Sequence, residues 1–106
     1  MKSISKFVIV NEVLLIETLK QKVIFIPVIS RFYGIVIKMY FSKHPPPHFH
    51  ALYGEYNGVF DLNTLEMIEG DMPNRAIKMI KEWAKKYKSD LVNIWDSKKF
   101  FNLPGL

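Results

Sequence analysis

The hydrophobic pattern of this chain changes period once, at Gly70, and that change limits the folds open to it. Before Gly70 the apolar residues come in short β-branched and aromatic runs: Phe7 to Val10, Val13 to Ile16, Val23 to Ile26, and the longer run from Ile29 to Phe41. In the last run Ile35, Ile37, Met39 and Phe41 alternate with Val36, Lys38 and Tyr40, the period of a strand with one well-buried face. Prolines 45 to 47 then enforce an extended connection, because proline fixes φ and disfavours the helical region for the residue before it. His48 to Tyr53 reads as the next strand and Gly54 to Gly58 as a turn. Val59 to Leu62 is a further strand, and the turn at Asn63-Thr64 leads into Glu66 to Ile68. After Gly70, the residues Ile77, Ile80, Trp83/Ala84, Tyr87, Leu91 and Ile94/Trp95 recur at helical steps. Asp71 or Met72 caps this segment, Pro73 suits its first turn, and Ser89-Asp90 is where it would break into two helices. The predicted fold is α+β: a small antiparallel sheet of about three to five strands, with one or two C-terminal helices packed on one face.

A chain of 106 residues supports one compact core. Residues 27–106 read as a single α+β domain, and residues 1–26 as an N-terminal extension of strands joined to it. The extension begins with an apolar stretch, but Asn11 and Glu12 interrupt it, and Glu17, Lys20 and Lys22 break any run of the ~20 apolar residues a membrane span needs. Neither a signal peptide nor a membrane helix is expected. The chain has no cysteine, which excludes disulfides and thiolate metal sites, and its formal charge of +5 favours acidic partners.

All three histidines lie in seven residues, His44-Pro45-Pro46-Pro47-His48-Phe49-His50. On a strand, His48 and His50 point the same way, roughly 7 Å apart. His44 stands across a proline elbow that restricts the backbone and would preorganise it as a third group. With a carboxylate from Glu55 or Asp61, the set His44, His48, His50 and Glu55 suits a divalent metal such as zinc or manganese. A metal-free alternative uses His44, His48 and His50 as acid and base in RNA cleavage, with Arg31, Lys38 or Lys43 stabilising the phosphorane. That chemistry needs imidazoles on opposite sides of the phosphate, which two on one strand face meet poorly. The plain alternative to both is structural: histidines beside prolines and aromatics that bond a carbonyl and stack.

Arg75, Lys78, Lys81/Lys85 and Lys88 form a second pattern, on the helix side away from Ile77, Ile80 and Ala84. Such a stripe can track a phosphate backbone, with Tyr53 or Tyr56 stacking on bases. It is equally what a solvated helix surface looks like, and Glu82 dilutes its charge.

The segment from Pro27 to Phe41, the histidine motif and Ala51-Leu52-Tyr53-Gly54-Glu55 together resemble a small bacterial family known as domain of unknown function 4160. The likeness continues through Leu65-Glu66 and Glu69 to Ala76, and ends in Glu82-Trp83-Ala84 and Asn93-Ile94-Trp95. Members usually begin with a methionine just before the Pro-x-Ile-Ser segment; here Ile26 holds that place, and 25 residues precede it. The family's members look like toxin–antitoxin components, often beside a second small protein. The resemblance therefore implies a bacterial, cytoplasmic protein with a small cognate partner, and it supplies no established catalytic residues. The leading expectation is a toxin-like component acting on RNA or a nucleic-acid machine through His44, His48 and His50, with Arg31, Lys38, Arg75, Lys78, Lys85 and Lys88 as nucleic-acid contacts. The alternatives are a non-enzymatic module that binds RNA, DNA or a partner, and a small His-ligated metalloprotein.

Overall fold

Alternating apolar residues dictate which side of each strand faces a core, and the strands follow that alternation. The computed structural model describes the backbone over residues 6–10, 13–17, 23–40 and 45–106, and side chains from residue 27 onward within those ranges. It contains β1 (Lys6–Val10), β2 (Val13–Glu17), β3 (Val23–Phe32), β4 (Ile35–Lys38), β5 (His48–Tyr53), β6 (Tyr56–Asp61), β7 (Met67–Asp71), α1 (Asn74–Lys86) and α2 (Lys88–Ser97). The strands form one sheet in chain order, and each neighbouring pair is antiparallel. β3 belongs to two ladders: Val23 to Pro27 pairs with β2, and Val28 to Phe32 pairs with β4 across a bulge between Val28 and Ser30. The five strands β3 to β7 and the two helices make the α+β architecture that the change of period at Gly70 predicts.

The helices pack against one face of the sheet, and the end of α2 also reaches His48 through Trp95. Ile29, Ile35, Ile37, Met39, Phe49, Ala51, Phe60 and Leu62 from the sheet meet Ala76, Ile80, Trp83, Ala84, Leu91 and Ile94 from the helices in one buried cluster. Each fully buried large side chain there contributes about 1.5–3 kcal/mol. Trp83 is the centre of this layer. It stacks on Phe32 at 5.4 Å, and its indole Nε1 donates to the Pro104 carbonyl at 2.8 Å. The short tail after α2 has no regular structure but is tied across the β3 bulge. The Leu103 amide donates to the Ile29 carbonyl at 2.7 Å, the Asn102 side chain to the Val28 carbonyl at 2.8 Å, and Ser30 Oγ to the Pro104 carbonyl at 3.0 Å. A bulge interrupts the ladder, and the tail satisfies carbonyls that the interruption leaves over.

Three boundaries differ from the expected ones. The run from Ile29 to Phe41 contains a hairpin, because Tyr33 and Gly34 both adopt positive φ (48° and 81°), the primed turn that matches strand twist. Gly58 lies inside β6 and not in a turn. It is packed beside the Met67 sulfur and the Phe60 ring, where a Cβ would already be crowded. The helical segment breaks at Tyr87, two residues before Ser89, and Pro73 stands at the N-cap of α1. Among the described residues no helix is long and apolar enough to cross a membrane.

Candidate functional site on the far face of the sheet

Phe49 and Ala51 point into the helix-covered core, so the alternation of β5 places His48 and His50 on the far face. Strand register extends this into a row. Val28 pairs with Lys38, Lys38 with His50, His50 with Val59, and Val59 with Glu69, crossing five strands. Directly paired residues share a face, so a lysine, a histidine and a glutamate lie along one line of the sheet.

The two imidazoles sit side by side with ring centroids 5.2 Å apart. The edge of Tyr40 packs on His50 at 4.2 Å, and Trp95 from α2 flanks His48 at 5.2 Å. Lys98 Nζ in turn lies 4.5 Å over the Trp95 ring. His48 Nδ1 is 2.8 Å from the Pro46 carbonyl. A carbonyl only accepts, so Nδ1 carries a proton, and in the neutral ring Nε2 keeps its lone pair. The proline elbow thus orients the first histidine.

His50 differs. Its Nε2 is closed off from solvent and has no hydrogen-bond partner among the described residues. Burial pushes its pKa down to about 3, helped by the nearby charges of His48 and Lys38, so the ring is neutral throughout the physiological range. Burial also lowers Lys38 to about 8 and raises Tyr40. Beside His50, on the β6–β7 side, an open pocket of about 280 Å³ is lined by Tyr40, His50, Asn57, Val59, Glu69 and Gly70. Gly70 has φ +95°, and a Cβ there would lie 2.1 Å from the Asn57 carbonyl oxygen. Only glycine permits this approach.

The expected site residues are distributed as follows. His44 lies outside the described residues. His48 and His50 are together, as expected for one strand face. Glu55 occupies the β5–β6 turn, at the far end of the hairpin from His48. Asp61 pairs with His48 in register, but its carboxylate accepts from the Asn63 amide at 2.7 Å and the Thr64 amide at 3.1 Å, shaping the following turn. Among the described residues no three His, Cys, Asp or Glu side chains are grouped to hold a metal ion.

Of the expected nucleic-acid contacts, Lys38 is 1% exposed, so it is not presented to a polyanion. Arg31 is exposed opposite Val36 on the far face. Arg75, Lys78 and Lys85 are exposed on α1, which packs on the other face of the sheet. Lys88 donates to the Asn63 carbonyl at 2.8 Å, and Lys81 pairs with Glu66 at 2.8 Å; both tie the helices to the β6–β7 turn. The basic helix and the histidines are therefore on opposite sides of the sheet. Sequence reasoning missed Glu69, Asn57 and Tyr40 as pocket residues. Only the period of β4 hints at Tyr40, and Glu69 reaches the pocket through a register that shifts between Val59 and Phe60.

No curated protein and no solved structure matches the chain. A family model does, over residues 34–96, which include the histidine motif, the row from β4 to β7 and most of both helices. That is more than half of the chain, and the protein belongs to the family described as a domain of unknown function, DUF4160.

Proposed function

We propose that this protein is a non-catalytic component of a bacterial toxin–antitoxin pair, holding nucleic acid on the basic face of α1 and its cognate small protein through the sheet. The observation that carries this reading is the condition of His50. Acid–base cleavage of RNA needs one imidazole to take a proton and another to give one, from opposite sides of the phosphate. Here both described histidines rise from one strand face, and His50 is neutral with Nε2 sealed behind its neighbours. A nitrogen sealed from solvent is badly placed to exchange a proton with a substrate. The exposed cations Arg75, Lys78 and Lys85 support a docking role for the helix instead. Arg75 lies in the first turn of α1, where the helix dipole opposes a positive charge and no acidic residue offsets it.

The test is the salt dependence of binding to a fluorescent single-stranded RNA. Lys78→Ala/Lys85→Ala should weaken binding and reduce the slope of log K against log salt by about 1.4, since each phosphate contact contributes about 0.7 on a single strand. An unchanged slope would remove α1 from the interface.

A second reading has one observation of its own. A buried, unpartnered Nε2 beside a histidine whose other nitrogen is fixed by a backbone carbonyl is how metal-ligating imidazoles are held. Zinc or manganese between His48 and His50 would satisfy that nitrogen. Elemental analysis of untagged protein beside His48→Ala/His50→Ala tests it, and metal lost in the variant would favour this reading.

A further inference from the structure

We propose that the free edge of β7 receives an extended, arginine-bearing segment of a partner protein, with one guanidinium entering the Glu69 pocket. This rests on the partner-binding half of the reading above and names its chemistry.

Among the described residues β7 is last in the strand order and pairs only with β6. Glu69, Gly70 and Asp71 are exposed, and Ile68 is 50% exposed. Among the described residues no backbone bond outside the β6 ladder reaches residues 67–71. Such an edge offers unpaired amides and carbonyls to an added strand, with backbone bonds giving affinity and side-chain pockets giving specificity.

Charge selects the occupant. Residues 66–71 contain Glu66, Glu69 and Asp71 and no cation, in a chain of net charge +5. Glu69 and Asp71 pair with Val59 and Asn57, so both stand on the far face. Two copies joined edge to edge by a two-fold axis near Gly70 would set these carboxylates against each other, which disfavours self-association. The same carboxylates repel phosphate. A cationic strand fits them: its alternate side chains are roughly 7 Å apart, the spacing of Glu69 and Asp71.

The pocket sharpens this to arginine. A guanidinium is planar, carries five donors and stacks on aromatic rings. Glu69 supplies a carboxylate and Asn57 an amide oxygen, while Tyr40 and the neutral ring of His50 form aromatic walls. An imidazolium there would repel the ligand. Lys38 lies one strand beyond His50 and does not line the pocket.

The experiment titrates the full-length, isotope-labelled protein with a twelve-residue peptide alternating arginine and threonine, and with its citrulline counterpart. The reading expects amide shifts confined to β6, β7, Tyr40 and His50. It also expects slowed hydrogen exchange along β7 and at least tenfold weaker binding to the citrulline peptide. Glu69→Gln and Asp71→Asn change exposed side chains, so both variants should fold, and Glu69→Gln should lose at least tenfold in affinity. The proposal is overturned by an absence of binding at millimolar peptide, by equal affinity for citrulline, or by shifts on α1. It is overturned too if single-stranded RNA moves the β7 signals, or if free protein is a dimer protected at β7. A failure of nucleic-acid binding in the salt titration leaves these outcomes untouched, so the two readings fail separately.

Discussion

Replacing His50 with phenylalanine isolates the cost of keeping an imidazole neutral inside the fold. In the unfolded chain a histidine titrates near 6.5, whereas in the native state His50 is held down to about 3. Between those values only unfolded molecules take up the proton, so wild-type stability rises with pH across the window and falls as acid is added. From pH 7 to pH 5 the linkage relation gives a loss of at most about 2 kcal/mol, and solvent screening on a partly exposed face brings it nearer 1 kcal/mol. Phenylalanine keeps a ring against Tyr40, removes the unpartnered nitrogen and cannot titrate. Urea unfolding followed by tryptophan fluorescence at pH 5, 6, 7 and 8 measures the difference. The wild type should lose about 1–2 kcal/mol more than His50→Phe between pH 7 and 5, a midpoint difference of roughly 1 M for a domain of this size. Equal pH dependence, or a wild type that gains stability on acidification, would refute a sealed neutral His50.

Lys38 gives a matching test on the alkaline side. Burial lowers its pKa from 10.5 to about 8, so the native state holds fewer protons between those values and stability rises with pH. From pH 7 to 9.5 the wild type should gain about 1–2 kcal/mol that Lys38→Met does not gain, read by the same urea series. Gly70→Ala places a methyl 2.1 Å from the Asn57 carbonyl at a φ of +95°; it should cost at least about 1–3 kcal/mol by thermal unfolding, while Gly54→Ala, which meets no atom within 4 Å, should cost less.

Much of the layout was legible because alternation is a local property. Ile35, Ile37 and Met39 are buried as their spacing predicts, His48 and His50 share a face, and the helical part follows the change of period, although β7 runs through Gly70 and α1 begins only at Asn74. What escaped depends on pairing between strands. Tyr33 in a left-handed conformation is not a turn signal, so one apolar run concealed a hairpin. The row from Lys38 through His50 to Glu69 arises from three registers in succession. No pattern within a single strand records it. Lys38 was expected at a phosphate because its charge is visible in the sequence, while its burial, opposite Val28 and with Nζ over the Tyr40 ring, is tertiary. Likewise the basic stripe and the histidines are both readable, but only the packing of α1 on the core face separates them.

The central claim is that the protein holds nucleic acid on α1 and that its histidines do not cleave it. Purified untagged protein, incubated with total bacterial RNA and sampled over hours on a denaturing gel beside His48→Ala/His50→Ala, tests it most directly. The account predicts intact RNA in both lanes, with the wild type still binding single-stranded RNA in the salt titration. Discrete cleavage by the wild type, lost in the folded variant, would contradict it and make this pair of imidazoles catalytic.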